Sequence, residues 1–253
     1  MHSSQITVDP APALWVIGMT AAPRPQPRVE RSIGQLRQAG FVEPVHIFAE
    51  PGTKVTPMAD VFIHQNARRL GVWLNWRSAA TYLLQTTNAP WIVLCQDDID
   101  LCSCAGPALR HALACFPKTS WGFASLFTSR RTVEGQTTRP GWQAFDVGRN
   151  AVGALAYCFS RESLQAVLSH EGVLRYRLNH GIDAVVSQAF QEMGRHCYYH
   201  LPSLCAHTGD GNSTKGDFVF TGRPGPPEFA PVGFSADYGG YVANPAKSSV
   251  VVR

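Results

Sequence analysis

Three carboxylates crowd the end of one apolar run. The stretch WIVLCQDDIDLC, from Trp91 to Cys102, places Asp97, Asp98 and Asp100 directly after a run of strand formers. Charged residues make up only 16% of the 253-residue chain, so this crowding runs against its trend. Like charges at short range repel unless something positive is held between them. Adjacent carboxylates beyond the carboxyl end of a strand suit a hard divalent cation, Mg2+ or Mn2+, that bridges phosphates. A solvated turn with helix-capping aspartates is the plain alternative. The long apolar run before the triplet favours the cation.

Positioning such a cluster requires a sheet. ALWVIGMT (13–20), VHIFAE (45–50), VFIHQ (61–65) and WIVLCQDD (91–98) read as strands. The last is apolar almost throughout, as a strand covered on both faces should be. Between them, Val29, Ile33 and Leu36 fall on one face of a helix over 29–39, with Gly40 placed to end it. Trp73, Trp76, Ala80, Leu83 and Leu84 mark a second helix by the same spacing. The second half adds a strand at WGFASLF, a polar glycine-bearing loop over 128–150, and a strand and helix in GALAYCFSRESLQAVL. A helix in GIDAVVSQAFQEMG and a strand and loop in HCYYHLPSLCAHTGD follow. Strands alternating with helices predict an α/β fold. From Gly222 onward the chain is rich in Gly and Pro and reads as a surface tail.

Composition narrows the classes. No apolar run is long enough to span a bilayer, and MHSSQITVDPAPALWVIGM lacks the charged start of a signal peptide. A cytoplasmic protein is expected, and seven cysteines without a paired CxxC framework agree with reduced thiols. Cys102 and Cys104 form a lone CxC, a weak metal signal. The net charge of +4 suits an anionic ligand and tolerates nucleic acid. No GxxxxGK[ST] phosphate loop is present.

Taken in order, these segments resemble the GT-A glycosyltransferases. The apolar strand ending in QDDID is similar to their DXD region, and NARRLGVWLNWRSAA to the segment before it. GALAYCFSRESLQAVL resembles their glycine-led strand and acceptor-side helix. GIDAVVSQAF resembles the helix that carries a catalytic carboxylate, and PSLCAHTGDGNST the C-terminal segment whose His completes the metal site. The resemblance covers about Leu14 to Thr214. Gln96 stands where the lipopolysaccharide-type members carry Glu, which leaves the choice of metal-binding aspartates open. The fold implied is α/β of GT-A type, a Rossmann-like nucleotide-binding half (13–101) merged with an acceptor half (102–222) around one mixed sheet. Residues 1–222 form that domain and 223–253 the tail.

The resemblance implies a sugar transfer from a nucleotide-sugar, of which a UDP-sugar is the expected donor, to an acceptor hydroxyl, with Mn2+ or Mg2+. Asp98, Asp100 and His207 are the expected metal ligands. Asp97 either joins them or meets ribose or sugar hydroxyls. Asp183, at a helix start, is either a dipole-stabilised acid or the general base of an inverting displacement, and the resemblance favours the base. Thr20, Arg24 and Glu50 face the nucleotide. Arg68 and Asn75 meet phosphate or sugar hydroxyls, although Arg68 and Arg69 also suit a solvated pair. Lys215 neutralises the diphosphate. Gly153, Arg131 and Trp142 shape the acceptor side, with Trp142 stacking on an acceptor ring or serving the core. Two other readings stay open. In one the acceptor is a hydroxymethylated pyrimidine in DNA, tracked by Arg130, Arg131, Arg139 and Arg149. In the other the chain is a metal-dependent nucleotidyltransferase. The oligomeric state is not legible.

Overall fold

The computed structural model describes residues 14–136, 139–146, 148–178, 181–208, 214–215, 219–220 and 230–236. Its first half runs β1 (Trp15–Ala21), α1 (Val29–Gln38), β2 (Val45–Ala49), β3 (Val61–Gln65), α2 (Gly71–Thr86), β4 (Trp91–Gln96), β5 (Ile99–Leu101) and α3 (Ala105–Cys115). The second half runs β6 (Trp121–Ser125), α4 (Arg130–Val133), β7 (Gly141–Ala144), β8 (Ala156–Ser160), α5 (Arg161–Ser169), α6 (Glu171–Arg175), α7 (Ile182–Glu192), β9 (His196–Leu201) and β10 (Cys205–His207). Two short strands, β11 (Thr214–Lys215) and β12 (Val219–Phe220), pair with each other.

Eight strands form one mixed sheet in the order β3-β2-β1-β4-β8-β6-β9-β7. The first four are mutually parallel, and β8 enters antiparallel between β4 and β6. The expected α/β architecture is therefore present. Alternation along the strands divides the core in two. Trp15, Ile17, Met19, Val93 and Cys95 face α1 and α3, while Val16, Ile92, Leu94, Tyr157 and Phe159 face α2, α5 and α7. Residues two apart point to the same face, so one strand can build both cores. Gly18 lets α2 settle onto β1, because a Cβ there would stand 2.6 Å from a Leu83 methyl carbon.

The helices begin and end where local chemistry dictates. In α1, Val29, Ser32, Ile33 and Leu36 are buried at helical spacing. The helix closes with Gly40 at φ 86°, Gly40 N–H donating to Arg37 O and Phe41 N–H to Leu36 O, the two bonds of a Schellman ending. The Ser160 hydroxyl caps α5 by accepting from Ser163 N–H.

The structure differs from the sequence reading in two places, and it adds detail in a third. The strand expected through Asp98 stops at Gln96, and β5 follows as a separate strand paired with β10. The loop expected over 128–150 contains α4 and the edge strand β7. Within the expected tail, 230–236 is described and it is docked: Val232 N–H donates to Thr128 O, Ser203 N–H to Val232 O, and Phe234 packs on the core. The rest of 223–253 and the Lys215 side chain lie outside the described residues.

Candidate functional site

The carboxyl ends of the parallel strands gather the ionisable groups. β4 delivers Gln96, Asp97 and Asp98 beside the end of β1, whose Thr20 hydroxyl reaches Cys95 O at 3.4 Å. Asp97 and Asp98 are 2% and 1% exposed. Two buried carboxylates side by side require compensation, and Arg24, from the proline-rich loop after β1, supplies it. Its Nη2 lies 2.7 Å from Asp97 Oδ1 and 2.9 Å from Asp98 Oδ2, and its Nε also donates to Asp97. Ala22 N–H adds a bond of 3.3 Å to Asp97 Oδ2. His207 Nε2 approaches Asp98 Oδ2 at 2.9 Å from the other side.

These contacts set the charge states. Burial works against the Arg24 charge, but Asp98 and Asp97 outweigh it and hold the guanidinium firmly protonated. Burial lifts Asp97 to about 6 against the pull of Arg24, with Asp98 adding to the rise. Burial also penalises the Asp98 carboxylate, yet the bond and charge of His207 and the charge of Arg24 bring it below its ordinary value. Asp98 is thereby held as the carboxylate. The close pairs with Arg24 support that charge state.

The remaining backbone of the motif is anchored. Ser32, on the buried face of α1, donates its hydroxyl to Asp97 O at 2.8 Å, and Thr208 N–H donates to Asp98 O at 2.9 Å. The β5–β10 ladder sets Asp100 opposite Ala206 and Ile99 opposite His207. Chain segments distant in sequence are thereby fastened together, and His207 is delivered to Asp98.

The residues present can be tested for fit to a divalent cation. Two ligands on adjacent corners of an octahedron with bonds near 2.1 Å stand about 3.0 Å apart. Asp98 Oδ2 and His207 Nε2 stand 2.9 Å apart, a hydrogen-bonded separation that is also compatible with that spacing. Both Asp98 oxygens are buried, and among the described residues only Arg24 and His207 make side-chain contacts with them, both at Oδ2. No group of three His, Cys, Asp or Glu side chains converges among the described residues. Asp98 and His207 are the two expected ligands that come together, and an ion between them would need its other ligands from phosphates and water.

Several expected site residues lie elsewhere. Asp100 is directed away from Asp98: it takes a two-pronged contact from Arg31 of α1, at 3.0 and 2.7 Å, because β5 turns it toward that helix. Glu50, 2% exposed, accepts from Leu70 N–H and Gly71 N–H at 2.8–3.1 Å and so closes the N-terminus of α2. Asn75 donates to Phe48 O and accepts from Asn66 Nδ2, tying α2 to β2, although it still borders the cleft. Arg68 is exposed in the turn before α2, outside the cleft lining. Trp142 donates its indole N–H to Ala108 O and lies edge-on to His200, on the α3 side of the sheet. Asp183 belongs to α7, on the other side, so Trp142 does not face it. Thr20, Arg24, Asn75, Asp97 and Asp98 do line one cleft, with Val72 and Gln96.

Asp183 is connected to that cleft by a short chain of bonds. Gln96 Nε2 donates to Ala154 O, and Gly153 N–H, one residue earlier, donates to Asp183 Oδ2 at 2.7 Å. Gly153 has φ 88°, and a Cβ there would stand 2.6 Å from the Phe127 ring, so this amide reaches Asp183 only from glycine. Ala184 N–H donates to Asp183 Oδ1. Arg131 is exposed on α4, after the Ser129 cap. Ser32 and Arg31 were missed by sequence reasoning, and Gln96 was noted only as a motif position, without its bond to Ala154 O. A buried serine on the apolar face of α1 was the available signal for the first.

No family model matches the sequence, and no curated protein matches it significantly. Solved structures do share its fold. An assigned glucose-1-phosphate thymidylyltransferase from Bacillus anthracis, in complex with sucrose, aligns with TM-score 0.50 at 10% identity, covering 77% of this chain and 90% of that one. A mannosyltransferase from Pyrobaculum calidifontis, with GDP-Man and Mn2+, aligns with TM-score 0.50 at 14% identity, covering 76% of this chain. The chain spans 56% of that mannosyltransferase. At these identities the likeness is one of fold: the chain shares its α/β architecture with a nucleotidyltransferase-type and a glycosyltransferase-type structure.

Proposed function

We propose that this protein is a metal-dependent glycosyltransferase that moves a sugar from a nucleoside diphosphate sugar, with a UDP-sugar the first donor to test, to an acceptor hydroxyl. One observation carries the reading: a buried Asp98 whose Oδ2 stands 2.9 Å from His207 Nε2, at the lip of the cleft that Arg24 and Asp97 also line. Residues 13–101 are assigned to the donor and 102–222 to the acceptor. Asp98 and His207 would hold Mg2+ or Mn2+, which when bound neutralises charge developing on the diphosphate. Arg24 stays on Asp97 and presents a buried positive charge beside the same oxygens. Lys215 is assigned to the diphosphate from sequence alone.

Asp183 is assigned the proton. Backbone amides occupy one lone pair on each of its oxygens and fix its orientation, leaving the others to accept. The acceptor O–H proton passes to Asp183 while that oxygen bonds to the anomeric carbon. The bond from that carbon to the diphosphate oxygen breaks, and its electron pair leaves with the diphosphate. A single displacement of this kind inverts the anomeric centre. The exposed Arg130, Arg131 and Arg139 favour a second acceptor class, a hydroxymethylated pyrimidine in DNA.

Thermal unfolding with UDP, GDP, CDP or dTDP, each with and without Mn2+, tests the donor seat. A shift that requires both nucleotide and metal is expected, and its absence with every nucleotide removes the reading. A donor and acceptor screen read by mass spectrometry, including glycans and hydroxymethylated DNA, then tests transfer. Asp183→Asn should bind donor and metal yet lose about 100-fold or more of transfer. Production of a nucleoside diphosphate sugar from a nucleoside triphosphate and a sugar phosphate would identify a nucleotidyltransferase instead.

A further inference from the structure

The opposite margin of the sheet carries features that the donor seat does not use. Among the described residues β3 is an edge strand, paired with β2 on one side only. Edge strands offer unpaired backbone N–H and C=O groups, and proteins commonly protect them with charge, proline or a bulge. Val61–Gln65, VFIHQ, contains neither a charged residue nor proline, and its register with β2 is unbroken. Phe62 and Ile63 are 51% and 39% exposed, on opposite faces of the strand.

The strand is self-complementary. If two copies meet antiparallel about a two-fold axis through Ile63, Ile63 lies opposite Ile63, Phe62 opposite His64 and Val61 opposite Gln65. The Phe62–His64 pairing continues an existing ring array, since His64 already lies against Phe48, Tyr82 and His46, and His46 against Phe62. Aromatic cross-strand pairs of this kind stabilise antiparallel ladders. The five-residue ladder carries no charged side chain that would repel its copy, and the exposed Asp60 and Arg68 lie outside it.

We infer that β3 is a homodimer interface, across which two copies pair antiparallel to join their sheets into one continuous sheet. The symmetry is isologous, and the donor clefts at the carboxyl end of β4 remain open in both copies.

Sedimentation equilibrium of the full chain tests this. The expected species has twice the 27.6 kDa chain mass at concentrations near 50 µM. Ile63→Lys sets two ammonium groups opposite one another on the axis and should weaken association by about 100-fold. Val42→Lys, at an exposed apolar position outside the strand, should leave the dimer intact. Ile63→Cys should form a disulfide-linked dimer under mild oxidation, because directly opposed Cα atoms fall within bridging distance. A monomeric wild type overturns the inference, whether the edge is then bare or covered by another part of the chain. A dimer that survives Ile63→Lys, or an Ile63→Cys variant that does not cross-link, also overturns it.

Discussion

Glu50 and the Asp97–Asp98 pair stand at the ends of β2 and β4, on either side of β1, and all three carboxylates are almost fully buried. Glu50 is satisfied by the amides of Leu70 and Gly71, which cannot leave without unwinding the start of α2. Asp97 and Asp98 are neutralised chiefly by the Arg24 and His207 side chains, which can rotate. A carboxylate held by backbone is committed to architecture. One held by side chains can exchange its partners for a ligand. Burial alone does not separate the two roles, but the identity of the neutralising groups does.

That contrast can be broken by substitution. Asp98→Asn keeps the shape and removes the charge, so the metal-dependent stabilisation by nucleoside diphosphate should vanish and transfer should fall by about 100-fold or more. Circular dichroism should confirm an intact fold. Glu50→Ala should do the reverse: it leaves two buried amides without an acceptor and should cost about 2–3 kcal/mol in urea unfolding. The nucleotide response of the variant that remains folded should persist. If Glu50→Ala abolishes that response at unchanged stability, the contrast fails.

His200 extends the backbone-held class to a base. Burial lowers it to about 4, although its contact with Pro202 O favours the proton. In the unfolded chain it binds a proton near 6.5. The unfolded state therefore takes up the proton first as pH falls. Stability should rise with pH from about 4 to 6.5, and His200→Gln should flatten that part of the profile in thermal unfolding. The smallest effect is expected at Asp100. Asp100→Asn weakens a partly exposed pair with Arg31 and should cost under about 1 kcal/mol. Metal-dependent nucleotide binding should be unchanged, which would distinguish Asp100 sharply from Asp98.

Most of the fold was legible because hydrophobic periodicity carries it. The spacing of α1 and α2 and the apolar β4 are direct consequences of burying a stripe or two faces. The site was legible only in part. The D-x-D spacing of Asp98 and Asp100 cannot reveal that the chain leaves the main sheet at Asp97 and enters β5, which turns Asp100 toward α1. Glu50 ends a strand like any nucleotide-facing acid, and only the arrival of α2 shows that it caps that helix. Trp142 sits in a polar, glycine-bearing stretch, so a four-residue edge strand pairing with β9 left no periodic trace. In each case a local pattern was overruled by a partner far away in the chain.

The two-strand ladder of β5 and β10 has a consequence for how the molecule comes into being. Asp98 and His207 are roughly a hundred positions apart, and contacts of such separation bear the entropy of closing a long loop. A chain halted on the ribosome before Cys205 already contains every parallel strand and the whole acidic motif. It still has no imidazole to set opposite Asp98. The proposed seat can form only once β10 has been made, so a chain that stops before His207 can possess the sheet and the acidic motif without the imidazole that the proposal requires.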